Sequence, residues 1–277
     1  MDFTVYLARP DGYAHSAAFL ELAELIGHGL SDLGHGAQLT VNSVIPGTRP
    51  ILIGVHLMDP ALIRDMPADT IVLNTEQINA RTGTWNARVL EWASHFETWD
   101  YSNRNIEELS RQSRMPIRHL RIGYHPALER IRKAPSQDID VLFYGSSSER
   151  RVKLIDQLKA TGMNVKAMFG VYGPERDALI ARSRIVLNMH NFATQIFEIV
   201  RVFYLLINRK AVVSEVGPDT AIDPDYRGGI AGVPYDEIPN ACLRLLENDA
   251  DRRELEARGF ATISSLPQAS LLAPLLT

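Results

Sequence analysis

Arg184–Glu215 reads RIVLNMHNFATQIFEIVRVFYLLINRKAVVSE. Ile185-Val186-Leu187 is a short β-branched and apolar run, of the kind buried on both faces of a parallel sheet. Phe197, Val200, Phe203, Tyr204 and Ile207 recur at helical spacing, and Ala211-Val212-Val213 is the next apolar strand. The stretch is therefore strand, loop, helix, strand. Ligands of open α/β sheets bind outside the carboxyl ends of the strands. Asn188-Met189-His190-Asn191 falls at such an end, and Glu198 and Arg201 fall on the first turns of the helix that follows. Asn188–Arg201 is a candidate half-site. The plainer alternative is a surface Glu–Arg pair on an ordinary helix.

The same alternation runs outward in both directions. Upstream, strands are expected at Phe3–Leu7, Gln38–Val41, Pro50–Val55, Thr70–Leu73, Glu97–Trp99 and Pro116–Arg121. Helices are expected over His15–Leu33, Asp59–Asp65, Trp85–His95 and Arg104–Arg111. Gly123–Asp138 (GYHPALERIRKAPSQD) has the prolines and charges of a connector. The alternation then restarts with strands at Ile139–Tyr144 and Val165–Phe169 and helices at Glu149–Thr161 and Pro174–Arg182. After Glu215 come a short strand, Gly229–Val233, and amphipathic helices over Ile238–Glu247 and Arg252–Gly259. Strands alternating with helices imply parallel sheets covered on both faces.

Composition agrees with two α/β domains: 277 residues, 45% hydrophobic, enough for packed cores. A net charge of -4 argues against a general polyanion binder, so nucleic acid is not an expected partner. The single cysteine, Cys242, excludes a disulfide within the chain and a Cys-based zinc site, and fits a cytoplasmic setting. The start, MDFTVYLARP, lacks a signal-peptide pattern. No apolar run reaches the roughly 18 residues of a membrane span. The apolar tail Leu271–Thr277 is suited to docking on the protein's own surface, on a second copy or other partner, or at a membrane periphery.

Gly145-Ser146-Ser147-Ser148 follows a strand and opens a helix, where main-chain N–H groups favour an anion; Arg150, Arg151 and Lys153 add positive charge. The competing reading is an N-cap cluster with solvated basic residues. The loop is neither a Walker loop nor a G-x-G-x-x-G, so dinucleotide chemistry is not expected. Gly12-Tyr13-Ala14-His15-Ser16 is the matching loop of the first half. Gly12 lets a ligand approach the backbone, and His15 at the helix start suits a neutral general base or a plain polar cap. His56 and Glu76 sit at carboxyl ends of strands in the same half, and Asp11 is a fourth candidate. In Asp100–Asn105, Tyr101 is placed to orient a polyhydroxylated ligand, whereas Asp100 or Ser102 reads as a helix cap. Trp85 and Trp92 read as core or lid rather than as a sugar platform. No H-E-x-x-H or clustered His/Cys is present, so no built-in metal is expected. The absence of G-x-S-x-G counts against an α/β-hydrolase.

In this order the pieces resemble a GT-B glycosyltransferase: α/β, two Rossmann-like domains facing across a cleft. The resemblance is carried by residues 139–260. DIDVLFYGSSSERRVKLIDQL is similar to the family's first donor-domain strand, turn and helix. RIVLNMH followed by FEIVRVFYLLINRKAVVSE is similar to its nucleotide-sugar-holding strand and acidic helix. VPYDEIPNACLRLLENDADRRELEARG resembles its tail. NTEQ and WDYSNRN are similar to the CgeB-like and bacterial family 1 members. Retaining relatives carry E-x7-E; here Tyr204 falls near its second glutamate and Glu198 lies between the two positions.

The resemblance implies an acceptor domain at 1–122 and a donor domain at 123–277, with 123–138 as connector and a last segment able to cross back. It implies a hexosyltransferase-like (EC 2.4) transfer from a UDP- or GDP-linked sugar to a glycan, lipid-linked or protein acceptor, with the nucleotide-sugar as co-substrate and no cofactor or metal. A nucleotide-sugar-binding or interaction protein on the same scaffold is the alternative. Donor contacts are expected from Gly145, Ser146, Ser147, Arg150, Arg151, His190, Asn191, Glu198 and Arg201. Acceptor contacts are expected from Gly12, Tyr13, His56 and Tyr101. An inverting course needs a base, His15 first and then Glu76; a retaining course needs none.

Overall fold

The computed structural model describes residues 1–78, 83–192 and 195–276. It divides into two compact units, Met1–His125 with Leu266–Thr277, and Pro126–Ser265. The second unit thus ends before the C-terminal segment, which belongs with the first.

In the first unit the strands are β1 (Asp2–Leu7), β2 (Gly36–Val41), β3 (Arg49–Ile53), β4 (Ile71–Asn74), β5 (Glu97–Asp100) and β6 (Ile117–His119). They form one sheet in the order β2-β1-β3-β4-β5-β6, parallel throughout. The inner strands carry apolar residues on both faces, and Ile51, Leu52, Ile53, Ile71 and Val72 are fully buried. Each such side chain stabilises by roughly 1.5–3 kcal/mol relative to exposure. β2 lies at an edge and leaves Leu39 and Val41 exposed. The order reverses between β1 and β3, so the ligand position of this unit is beside the loops that leave those strands.

The helix expected from His15 splits into a 3-10 turn, Ala14–Phe19, and an α-helix, Leu20–Asp32. The apolar tail packs within this unit. Leu272 and Leu275 are buried, and a Cβ at Gly29 would lie 2.8 Å from Leu272 Cδ1. Main-chain bonds fix its return: Tyr124 N–H donates to Leu266 O at 2.8 Å and Gln268 N–H to Tyr124 O at 2.9 Å. Gly123 N–H donates to Gln268 Oε1 at 2.7 Å.

The second unit carries β7 (Ile139–Gly145), β8 (Val165–Phe169), β9 (Ser183–Asn188), β10 (Ala211–Glu215) and β11 (Ala231–Val233). Their order is β11-β10-β9-β7-β8, again parallel. Ile185, Val186 and Leu187 of β9 are all fully buried. The connector predicted at 123–138 is largely part of this unit: the Arg130 and Ile131 N–H groups donate to Asn208 Oδ1, whose amide donates to Leu128 O. The helix after β9 starts at Ile199, later than expected. Phe197 N–H bonds to Ala221 O instead, and Glu198 is the capping residue. Among the described residues no helix is long and apolar enough to cross a membrane.

Candidate functional site

The strand order of the second unit reverses between β7 and β9, so Gly145 and Asn188 flank the switch point where ligands of such sheets bind. Gly145 has φ +149, and a Cβ there would lie 2.9 Å from Arg201 Nη2. Glycine at the strand end thus permits both the turn and the Arg201 guanidinium over it. Arg201 donates to Asn188 Oδ1 at 3.3 Å. Ser146 and Ser147 lie exposed in the turn.

Arg151 is 1% exposed. It donates to Ser146 O at 3.0 Å, to Ser146 Oγ at 2.8 Å and to Met189 O. These bonds tie the turn after β7 to the loop after β9. Burial, and then the neighbouring Arg201 charge, lower its guanidinium to about 10, so it stays cationic at neutral pH. Glu198 faces it at 3.8 Å. Glu198 Oε2 accepts from Asn188 Nδ2 at 3.0 Å and lies 3.4 Å from His190 Nδ1. Burial pushes this carboxyl up, but His190, Arg201 and Arg151 outweigh it and hold it below the ordinary carboxylate range. Its Oε1, the Arg151 Nε and Asn191 Oδ1 are buried without a hydrogen-bond partner among the described residues. Such groups are costly unless something pairs with them.

Arg150 has a different task from its neighbour. Both of its terminal nitrogens bond Glu215 at the end of β10, and its guanidinium lies 3.8 Å from the Tyr235 ring centroid. Glu215 also accepts from His190 N–H at 3.1 Å. Arg150 therefore braces the wall of the site. His190 is buried, with Nε2 3.2 Å from Thr220 Oγ1. Tyr204, which the resemblance places near a second glutamate position, is buried; its hydroxyl donates to Asp177 and accepts from Arg130.

In the first unit His56, in the 3-10 turn Val55–Leu57 that follows β3, is 2% exposed. Its Nε2 lies 3.5 Å from Glu76 Oε1. Burial, and then Arg88, lower its imidazole to about 4, and burial raises the Glu76 carboxyl to about 7. Burial, and then the Glu76 charge, raise the Tyr13 phenol. The chain thus brings Tyr13, His56 and Glu76 together. Gly12 is exposed with φ +71, His15 is exposed with its ring 5.1 Å from Tyr13, and Tyr101 is buried.

The Glu76 loop is held from beneath by groups that the sequence pattern hid. Asn74 and Asn105 both donate to Glu76 O at 2.8 Å, and Asn74 Oδ1 accepts from Glu76 N–H at 3.1 Å. Both amides also donate to Asp100, at 2.6 Å and 3.1 Å. Asp100 is fully buried and pushed up to about 7 by that burial, against the hydrogen bonds it accepts. It accepts from Ser102 N–H at 2.8 Å, ahead of the helix Asn103–Gln112, whose capping residue Ser102 makes no side-chain cap bond; the expected helix cap is not formed by either. Trp85 and Trp92, expected to act alike, separate: Trp92 is fully buried and Trp85 is 45% exposed. Among the described residues no three His, Cys, Asp or Glu side chains gather as metal ligands.

No protein-family model matches the chain. Two uncharacterised proteins of Acanthamoeba polyphaga mimivirus are similar to it in sequence. One is 30% identical over 187 residues, 64% of this chain and 59% of that protein. The other is 26% identical over 206 residues, 72% of this chain and 27% of that protein. The chain therefore spans 59% of one of these relatives and 27% of the other, and they are viral where the sequence resemblance pointed to bacteria. Solved structures give the fold. HepE of Anabaena, in complex with UDP and glucose, superposes with a TM-score of 0.65 at 11% identity, over 99% of this chain and 98% of that one. T4 phage BGT in complex with UDP-glucose gives 0.59 at 11% identity over the same shares. AviGT4, a glycosyltransferase of avilamycin A biosynthesis, gives 0.54 at 16% over 99% and 95%. The chain has the GT-B glycosyltransferase fold.

Proposed function

We propose that this chain transfers a sugar from a nucleoside-diphosphate sugar, UDP- or GDP-linked, to an acceptor. One observation carries the reading: at the β7/β9 switch point two guanidinium groups, Arg151 and Arg201, meet the Gly145–Ser148 turn beside a buried carboxylate oxygen of Glu198 that has no hydrogen-bond partner among the described residues. In the proposed complex the turn's main-chain amides and the two arginines hold the diphosphate. Arg201, at the lip, offsets the charge that develops on the leaving phosphate, an electrostatic role fixed before reaction. Glu198 Oε1 accepts a hydroxyl of the ribose or sugar, and His190 and Asn191 line the sugar end.

Glu76 is the proposed base. A carboxyl tuned to about 7 is matched to proton removal at neutral pH. The neutral His56 beside it stabilises no competing ion pair. A base of this kind belongs to an inverting course, in which it takes the acceptor proton as the acceptor oxygen forms the new glycosidic bond and the diphosphate departs. The test is turnover of UDP-glucose, UDP-N-acetylglucosamine and GDP-mannose, read as nucleoside diphosphate release. Release from one of these, slowed at least about 100-fold by Glu76→Gln, supports the reading. Release from none, with no binding of UDP or GDP, removes it.

A further inference from the structure

Trp85 exposes almost half of its surface, whereas the other two tryptophans, Trp92 and Trp99, are fully buried. A tryptophan joins a large apolar face to a polar edge, which suits it to contact surfaces. Here the indole does not stand alone. Its ring centroid lies 5.0 Å from that of His56, tilted by 46°. The same imidazole touches Glu76 through Nε2 and is packed from another side by Phe19, edge-on at 6.3 Å. Arg88 donates to His56 O at 3.2 Å. Trp85 and Glu76 thus both contact one buried imidazole.

We infer that Trp85 and Glu76 form an acceptor subsite for a carbohydrate, in which the indole face stacks on a pyranose ring and Glu76 receives that sugar's hydroxyl. The chemistry of each partner argues for it. The negative face of an indole attracts the partly positive axial C–H groups on the apolar face of a pyranose. A carboxylate accepts two hydroxyl hydrogen bonds from the ring's edge. Lipid chains call for a longer apolar groove, and a peptide calls for main-chain partners; a single aromatic plate beside one acid fits a ring with one apolar face and a polar rim. The identity of Glu76 as the reacting group rests on the transferase reading; the stacking of a sugar on Trp85 does not.

The two are separated by measuring binding alone, on the full chain. Malto-, cello-, chito- and manno-oligosaccharides are titrated while tryptophan emission is followed. Because Trp92 and Trp99 are buried, a shift of emission reports Trp85. The expected result is a saturable blue shift with one of the four series. By calorimetry, Trp85→Ala weakens that sugar at least about tenfold while Trp85→Phe, which keeps an aromatic face, weakens it about threefold or less. The melting temperature of each variant without sugar stays at the wild-type value. Absence of any response to the four series overturns the inference, as does equal sugar affinity in wild type and Trp85→Ala. A parallel UDP titration reports the transferase reading by itself. Sugar binding without UDP binding keeps the subsite and sinks the transfer; UDP binding without sugar binding does the reverse.

Discussion

His56 and Glu76 face each other at 3.5 Å, Nε2 to Oε1, yet burial drives their charges apart: the imidazole falls to about 4 and the carboxyl rises to about 7. At neutral pH the histidine is therefore uncharged, and the glutamate is poised between acid and base. For the proposed reaction, kcat/KM rises with pH through a single ionisation near 7 and shows no second limb from His56 between 5 and 8. The pH profile of wild type checks this, and the profile of Glu76→Gln is expected to be flat across the same range.

The same shift governs stability. The folded-state carboxyl of Glu76 titrates above its ordinary value of 4.5, so the native state holds its proton more tightly than the unfolded chain. That contribution is fully present below about 4.5 and is lost as pH rises through about 7, a change on the order of 3 kcal/mol. Glu76→Gln removes it. The unfolding free energy of wild type minus that of Glu76→Gln should accordingly fall between pH 4.5 and 7.5. A difference that rises with pH contradicts the burial of this carboxyl.

Gly145 combines φ +149 with a guanidinium 2.9 Å from where a Cβ would stand. In Gly145→Ala the arginine end is flexible and moves, while the backbone carries the strain, about 1–2 kcal/mol. The variant should fold with a modestly lowered melting temperature and bind UDP at least about tenfold more weakly, as calorimetry would read.

Gly123 allows the C-terminal segment to return to the first unit. A Cβ there would meet Leu266 O at 2.0 Å, a backbone atom that cannot swing aside. Gly123→Ala is expected to cost about 3 kcal/mol or more, well above the effect of Gly27→Ala, where nothing lies within 4 Å. Urea unfolding of the two variants makes the comparison.

The strands were legible because their residues answer to burial alone. Ile185-Val186-Leu187, Ile51-Leu52-Ile53 and Val141-Leu142-Phe143 are apolar without interruption, and each lies at 0% exposure in a parallel sheet. The position of the candidate site follows from the same strands, since strand ends follow from strand positions. The partners were not legible. Arg150 and Arg151 are adjacent basic residues at a helix start, and nothing local separates the one that reaches Glu215 from the one buried against Met189 O. Those destinations lie on other strands. Asn74 and Asp100 are register partners across β4 and β5, so pairing polar residues at the ends of adjacent strands would have found the network under Glu76. Trp85 and Trp92 share a helix, Thr84–Ala93, and only packing from other elements sends one inward and leaves the other at the surface. The helix start at Ile199 was displaced because the Phe197 main chain pairs with Ala221, a long-range bond that helical periodicity does not encode.

Calorimetric titration of UDP and GDP into the full chain, beside Arg201→Ala and Glu198→Ala, bears most directly on the diphosphate cradle at the β7/β9 switch point. The account predicts binding of one of the two nucleotides, weakened at least about tenfold by Arg201→Ala, whose charge faces the phosphates, and by Glu198→Ala, whose carboxylate awaits a hydroxyl. Heats from neither nucleotide, or affinities in both variants equal to that of wild type, would contradict it.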